Sequence, residues 1–267
     1  MLRLACIALA ALATCGCFQS TTLIRVNADG SGTIEQTTIV TNAALRQLRQ
    51  FAAMSDDKGK ASDFFSTSHA EHIAEAFGSN VTVASSTRIK TADGEGSKTI
   101  FAFPDINELR LKREGTDTEA LGMVEAPQVR FALTNEANGD SLLRITLPPT
   151  KRAASPATTA PAGSGGRPQS RIPPEQLAMV KQIFAGMRVA IAIEPAGHLV
   201  KTSCPFVDGG KVTLVDVEFD QLLANDAAFS RLQTARSIED VRVAMREIPG
   251  LKVNLDPEIT IEFTPGR

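Results

Sequence analysis

Three acidic side chains alternate with apolar ones in the last third of this 267-residue chain. Asp216, Glu218 and Asp220 are separated by Val217 and Phe219, so that a β-strand would bring the three carboxylates to one face. Paired carboxylates can perform acid–base catalysis, and several together can bind a hard cation. The simpler interpretation, which we favour, is that the acids form the solvent face of a half-buried strand and that Asp220 caps a following helix.

Two of the three histidines, His69 and His72, are three positions apart, which places both imidazoles on one face of a predicted helix. Two imidazoles on one face can contribute to a zinc site. No third ligand is close in the sequence, and Glu71 is accounted for as the partner of Ser68 in a predicted capping box. We therefore expect a solvated helix start here, with metal binding as the alternative.

The start of the chain predicts a different kind of chemistry. The cysteines of the chain are Cys6, Cys15, Cys17 and Cys204. Arg3 precedes an apolar run over residues 4–13, and small residues lead from this run to Cys17, a pattern typical of a bacterial export signal. The run is shorter than the roughly 20 residues that a membrane-spanning helix needs.

Residues 12–17 resemble the lipobox of bacterial lipoproteins, in which an aliphatic residue and two small residues precede a cysteine whose thiol receives a diacylglycerol. Leu12-Ala13-Thr14-Cys15 has leucine at the first position, and Thr14-Cys15-Gly16-Cys17 has glycine before the cut. We favour Cys17 as the lipidation site, with Cys15 as the alternative, because the residue at the cut must be very small. The resemblance implies a signal peptide over 1–16 and acyl chains such as palmitate on the new N-terminus. It also implies a lipid-anchored protein of the bacterial cell envelope that faces the periplasm or the exterior.

Removal of residues 1–16 and lipidation of Cys17 would leave Cys204 as the one remaining thiol, so that no internal disulfide could form. Cys204 ends a strand-like run over 199–204, and we expect a small buried hydrophobe there rather than a nucleophile. Stability must then come from burial of a core.

Composition excludes some partners. Lysine and arginine total 28 and aspartate and glutamate 30, which lacks the basic excess of a nucleic-acid-binding protein. The chain has 13 phenylalanines but no tryptophan or tyrosine, the residues on which sugar-binding and membrane-interface surfaces rely. A ligand is therefore expected to be apolar. No nucleotide, phosphate or zinc-protease motif is present in the sequence, and we expect no cofactor and no catalytic residue.

Residues 148–174 contain 7 of the 14 prolines, together with runs of alanine, glycine and serine. This composition predicts a disordered linker between an α+β segment over 17–147 and a second one over 175–267. We favour a single domain, because the second segment is short and its strands need a partner sheet. Two separate domains are the other possibility.

Turn chemistry predicts three β-hairpins. Asn27-Ala28-Asp29-Gly30 would set Ile24 opposite Ile34, and the turn over 136–139 would set Leu133 opposite Leu143 and Phe131 opposite Ile145. The third hairpin spans 81–103. Helices are predicted over 42–54, 68–77, from 174, over 226–235 and over 237–246, and further strands over 189–193, 199–204, 212–219 and 259–263. Hairpins and packed helices without a βαβ rhythm indicate an α+β fold with a mainly antiparallel sheet.

Residues 16–33 and 189–217, with their glycine-containing turns, are similar to stretches of the LppM-type envelope lipoproteins. This resemblance implies a membrane-anchored α+β domain with a role in lipid handling or envelope interaction, and it transfers no catalytic residue. We therefore expect a non-enzymatic binding or interaction module whose partners are the membrane, through its lipid anchor, and an apolar small molecule or another envelope protein. The alternative is an envelope hydrolase or metal-dependent enzyme that uses the carboxylate cluster at Asp216 and Glu218.

Overall fold

The computed structural model describes residues 18–46, 65–92, 94–111, 129–147, 181, 184–235 and 237–266. The predicted signal peptide over 1–16, both lipidation candidates, Cys15 and Cys17, and the predicted linker over 148–174 lie outside the described residues. The same holds for most of the helices predicted over 42–54 and from 174.

The chain is an α+β protein. Its strands are β1 (Phe18–Val26), β2 (Gly32–Thr41), β3 (Thr82–Lys90), β4 (Gly94–Phe103), β5 (Arg130–Asn135), β6 (Ser141–Thr146), β7 (Arg188–Pro195), β8 (Gly197–Thr202), β9 (Val207–Asp208), β10 (Lys211–Glu218), β11 (Lys252–Val253) and β12 (Glu258–Pro265). Its longer helices are α1 (Thr67–Phe77), α2 (Phe219–Ala224), α3 (Asp226–Thr234) and α4 (Ile238–Arg246), and a 3₁₀ helix covers Ile106–Glu108. No helix within the described ranges is both long and apolar enough to cross a bilayer.

The strands form two sheets. The larger has the order β11-β10-β7-β1-β2-β4-β3, with β9 beside β10, and the smaller has the order β5-β6-β12-β8. All neighbouring strands are antiparallel except β1 and β7, which run parallel from Gln19 beside Arg188 to Val26 beside Pro195. The mainly antiparallel arrangement agrees with the sequence prediction, whereas the parallel pair was not predicted.

One cluster of buried side chains joins the two sheets. Ile24, Ile34 and Phe101 of the larger sheet and Ile261 and Phe263 of the smaller sheet are fully buried in this cluster. Because alternate residues of a strand point to opposite faces, each sheet covers the cluster with one face only. The remaining face of the larger sheet carries charged residues such as Arg25 and Glu35.

Two hairpin registers follow the turn chemistry. Ile24 lies opposite Ile34, and Leu133 lies opposite Leu143, as predicted. The glycines that end the two turns, Gly30 and Gly139, have φ angles of +88° and +89°. Only glycine adopts this region without strain, so the two turns, rather than distant contacts, determine these registers.

The helix starts match the predictions only in part. The helix predicted over 237–246 is present as α4, and Ser237 and Asp240 form a capping box at its start. The predicted box of Ser68 and Glu71 is wrong, because Ser66 is the N-cap of α1 and its Oγ accepts the backbone N–H of His69 at 3.1 Å. Two serines flank the start of this helix, and residue spacing alone does not distinguish them.

Candidate functional site

The alternating acids divide between two environments. Arg188 binds Asp216 through two hydrogen bonds of 3.0 Å, and its Nε lies 3.7 Å from Oε1 of Glu218. Asp220 does not join them, since both of its carboxylate oxygens accept the backbone N–H of Gly186 at 2.9 Å. The prediction that Asp220 caps a helix is wrong, because α2 already begins at Phe219 and Asp220 lies in its first turn.

Neither set of candidate metal ligands forms a cluster. Asp216 is occupied by a guanidinium, and the side chain of His72 is 82% exposed with its Nδ1 3.8 Å from Oε2 of Glu75. His69 contributes its backbone N–H to the cap of α1. In the part of the chain that the structure describes, no three histidine, cysteine, aspartate or glutamate side chains are grouped so that they could hold a metal ion.

Cys204 is buried, with 3% of its surface exposed, as expected from its sequence context. Its Sγ–H donates to the backbone carbonyl of Thr213 at 3.3 Å. A thiol enclosed in this way packs as a small hydrophobe, and it does not meet the exposure that a reactive cysteine requires.

A cleft that the sequence did not reveal lies beside this cysteine. Three segments form its walls: residues 203–206 after β8, the C-terminal half of α4, and the chain from Ile248 to Asp256 that contains β11. Its volume is about 560 Å³, which lies within the range of small-molecule sites, about 300–1,000 Å³. We call it the α4–β11 cleft.

Apolar and polar atoms line the α4–β11 cleft in similar proportion. The side chains of Phe206, Met245, Leu251 and Leu255 line it and are partly exposed. Ile248 also lines it and is buried. The cleft can therefore bury an apolar group without a large rearrangement of the core.

Three cations line the same cleft, and they differ in their partners. Arg242 is bound on both sides, by Glu239 at 3.0 Å and by Asp256 at 2.8 Å. Arg246 and Lys252 have no ion-pair partner among the residues that the structure describes. The cleft thus has two positive charges that no described acid neutralises.

Asn254 forms part of the wall and is 6% exposed. Its backbone N–H donates to the carbonyl of Leu214 at 2.8 Å, and its Oδ1 accepts the backbone N–H of Asp256 at 2.7 Å. Its Nδ2 is buried and has no hydrogen-bond partner among the described residues. Most buried polar groups are paired, so that a buried amide donor without a partner requires an explanation.

One sequence signal could have indicated this site. Val253-Asn254-Leu255 places an amide in an otherwise apolar strand-like run, a short distance after a helix that ends in a basic residue, Arg246. Periodicity assigns such a run to the core and does not single out the amide. The grouping with residues 203–206 depends on tertiary contacts, which the spacing of residues does not show.

Comparisons with known proteins identify no family. No family model matches the chain, and no curated protein is significantly similar to it. Among solved structures, the NMR structure of the folded domain of the Mycobacterium tuberculosis protein LppM aligns over 94% of this chain and 91% of that chain. The sequence identity is 9% and the TM-score is 0.32, a similarity too low to establish a shared fold.

Proposed function

We propose that this protein is a non-enzymatic binding module of the bacterial cell envelope that is held at a membrane by a lipid on Cys17, with Cys15 as the alternative. Its ligand is a largely apolar small molecule that binds in the α4–β11 cleft. The observation that carries this proposal is the cleft itself, which combines about 560 Å³ of space with walls of Phe206, Met245 and Leu251. Sites for small molecules are concave and mostly apolar, with a few polar groups that orient the ligand.

The polar groups around the cleft support binding rather than catalysis. Asp256, the one acid among the described residues that line it, is held by Arg242 at 2.8 Å. Outside the cleft, both oxygens of Asp216 are occupied by Arg188. A carboxylate in a bidentate hydrogen-bonded pair with a guanidinium is a poor general base, because proton uptake would break a charge-assisted contact. No specific observation therefore favours the alternative of a hydrolase or metal-dependent enzyme.

The membrane attachment is supported by the lipobox-like residues alone. The intact mass of the protein purified from its native envelope tests it, and we expect the chain to begin at Cys17 with diacylglycerol on its thiol. Cys17→Ser should abolish incorporation of labelled palmitate, whereas Cys15→Ser should leave it unchanged. The reverse pattern would move the site to Cys15. A chain recovered entirely in the aqueous fraction with unmodified cysteines would refute the anchor.

Ligand binding can be tested with phenylnaphthylamine, a neutral probe that fluoresces in apolar sites. The chain has no tryptophan and no tyrosine, so that its own emission does not interfere. We expect saturable binding that Met245→Glu weakens, because the variant places a charge in the apolar wall.

Val243→Glu is the matched control for this experiment. Val243 lies on the same helix as Met245 but is 47% exposed and does not line the cleft. The proposal predicts that the control binds the probe as the parent chain does. Equal binding by the parent chain and both variants would show that the cleft is not the site.

A further inference from the structure

The charged side chains that line the α4–β11 cleft specify more than an apolar ligand. We propose that this cleft recognises an oxyanion, meaning a carboxylate, sulfonate or phosphate group, carried by the apolar body of its ligand. Arg246 and Lys252 bind this group. The inference rests on the proposed function, because it assigns the ligand chemistry of the same cleft.

The hydrogen bonds of Asn254 fix which of its side-chain atoms is unpaired. Its Oδ1 accepts the backbone N–H of Asp256 at 2.7 Å. A flipped amide would set its NH₂ group against that N–H, so the donor must be the atom that is left without a partner. This donor has almost no accessible surface, so that it lies within the wall of the cleft and is not among the groups that contact the ligand.

The charge of the cleft determines what kind of acceptor fits. Arg242 and Asp256 neutralise each other, with Glu239 also bound to Arg242. Lys252 lies directly across from Asp216 in the β10–β11 pair, but Asp216 is bound by Arg188 instead. With Arg246 the cleft carries two cations that no described acid neutralises, and an anionic acceptor complements them better than a neutral one.

A neutral apolar molecule is the simplest alternative ligand. It would fill the cleft but would leave Arg246 and Lys252 without a counter-charge. The two cations line one cleft together with apolar side chains. An amphiphile with an anionic end complements both, which a neutral apolar molecule does not.

The test compares two probes that share an arylamine framework, anilinonaphthalene sulfonate and the neutral phenylnaphthylamine. Binding is measured on the full chain with Cys15→Ser and Cys17→Ser, so that no attached acyl group competes for the cleft. We expect Arg246→Gln and Lys252→Gln each to weaken the sulfonate probe about tenfold, since a charge-assisted contact is lost. Neither substitution should change the affinity of the neutral probe.

Arg130→Gln and Lys201→Gln are the matched controls, because these two cations lie outside the cleft. Neither should affect either probe.

The possible failures can be told apart. A sulfonate probe that is insensitive to Arg246→Gln and Lys252→Gln would overturn the oxyanion site, and so would equal losses for both probes. If the neutral probe still responds to Met245→Glu, the binding function stands without the anion. If neither probe responds to any cleft variant, the proposed function fails as well.

Discussion

Arg188 holds Asp216 through two hydrogen bonds of 3.0 Å, from Nε to Oδ1 and from Nη2 to Oδ2. This bond to Asp216 is the main reason why the pKa of the Arg188 guanidinium lies above its ordinary value. The same bond occupies the carboxylate of Asp216, which lies opposite Lys252 in the β10–β11 strand pair. The acids that the sequence pattern singled out are thus connected to the charge of the α4–β11 cleft, although they do not line it.

This relationship predicts a coupled effect of Arg188→Met. The variant frees Asp216 to pair with Lys252, so that the affinity for anilinonaphthalene sulfonate should fall. Urea unfolding should show a loss of only about 0.5–1 kcal/mol, because the pair is partly exposed, with 41% and 20% of the two side chains accessible. Adding Asp216→Asn removes the competing carboxylate and should restore probe binding. Failure of the double variant to do so would refute the coupling.

A second prediction concerns the acid stability of the larger sheet. Glu35 binds Lys98 at 2.7 Å and Arg25 at 3.2 Å. These bonds, above all that from Lys98, lower the pKa of Glu35 below its ordinary value of 4.5, although partial burial opposes them. Because the folded-state pKa is the lower one, the stabilisation is complete above pH 4.5 and is lost as the pH falls through the folded-state pKa.

Glu35→Gln should therefore lower the free energy of unfolding at neutral pH, and the difference from the parent chain should shrink below pH 4.5. Urea unfolding at a series of pH values measures this difference. Glu71→Gln, on an exposed position of α1, is the control for the loss of one negative charge. A difference that stays constant from neutral to acid pH would contradict the assignment.

The hairpins were predictable because their information is local. A turn of four residues with glycine at its end positions Ile24 opposite Ile34, and no distant residue is needed. The parallel pairing of β1 with β7 sets Ile24 beside Ile193. Nothing near either strand in the sequence specifies this partner, since the choice depends on the burial of both isoleucines in one core.

The α4–β11 cleft escaped prediction for a related physical reason. Its candidate binding groups, Arg246 and Lys252, are of ordinary residue types, and their role comes from the ion-pair partners that they lack. Whether a cation has such a partner depends on tertiary contacts and not on the spacing of residues in the sequence. Asp216 and Glu218 were singled out by their alternation, and the structure shows that both lie beside Arg188.

The start of α1 gives a third prediction, in which two neighbouring serines are compared. Ser66 Oγ accepts the backbone N–H of His69, whereas Ser68 lies inside the helix and contacts Ser66 Oγ at 3.0 Å. Ser66→Ala should cost about 1 kcal/mol, and Ser68→Ala should cost less. Chemical unfolding of the two variants measures the difference. A larger loss for Ser68→Ala would place the cap where the sequence pattern had suggested.

Substitutions of Ile193 test the packing of the core beneath the parallel strands. It is fully buried beside Ile24, and both belong to the cluster that joins the two sheets. Ile193→Val should lower the free energy of unfolding by about 0.5–1.5 kcal/mol and Ile193→Ala by about 2–5 kcal/mol, because the cavity grows with each carbon removed. Val200→Ala, at a position that is 50% exposed, should stay within about 0.5 kcal/mol of the parent chain. Equal effects of Ile193→Ala and Val200→Ala would contradict the packing.

Alanine substitution of the glycines in the two predicted turns distinguishes the cost of backbone strain from the cost of steric crowding. Gly30 and Gly139 have nearly the same positive φ, so that an added Cβ strains both backbones alike, by about 1–2 kcal/mol. A Cβ at Gly139 meets nothing within 4 Å, but at Gly30 it would lie 3.3 Å from Oδ1 of Asp105. That oxygen also accepts the backbone N–H of Asn107 at 2.9 Å, which starts the 3₁₀ helix. Gly30→Ala should therefore destabilise the protein more than Gly139→Ala in chemical unfolding, and equal losses would show that Asp105 yields to the methyl group without cost.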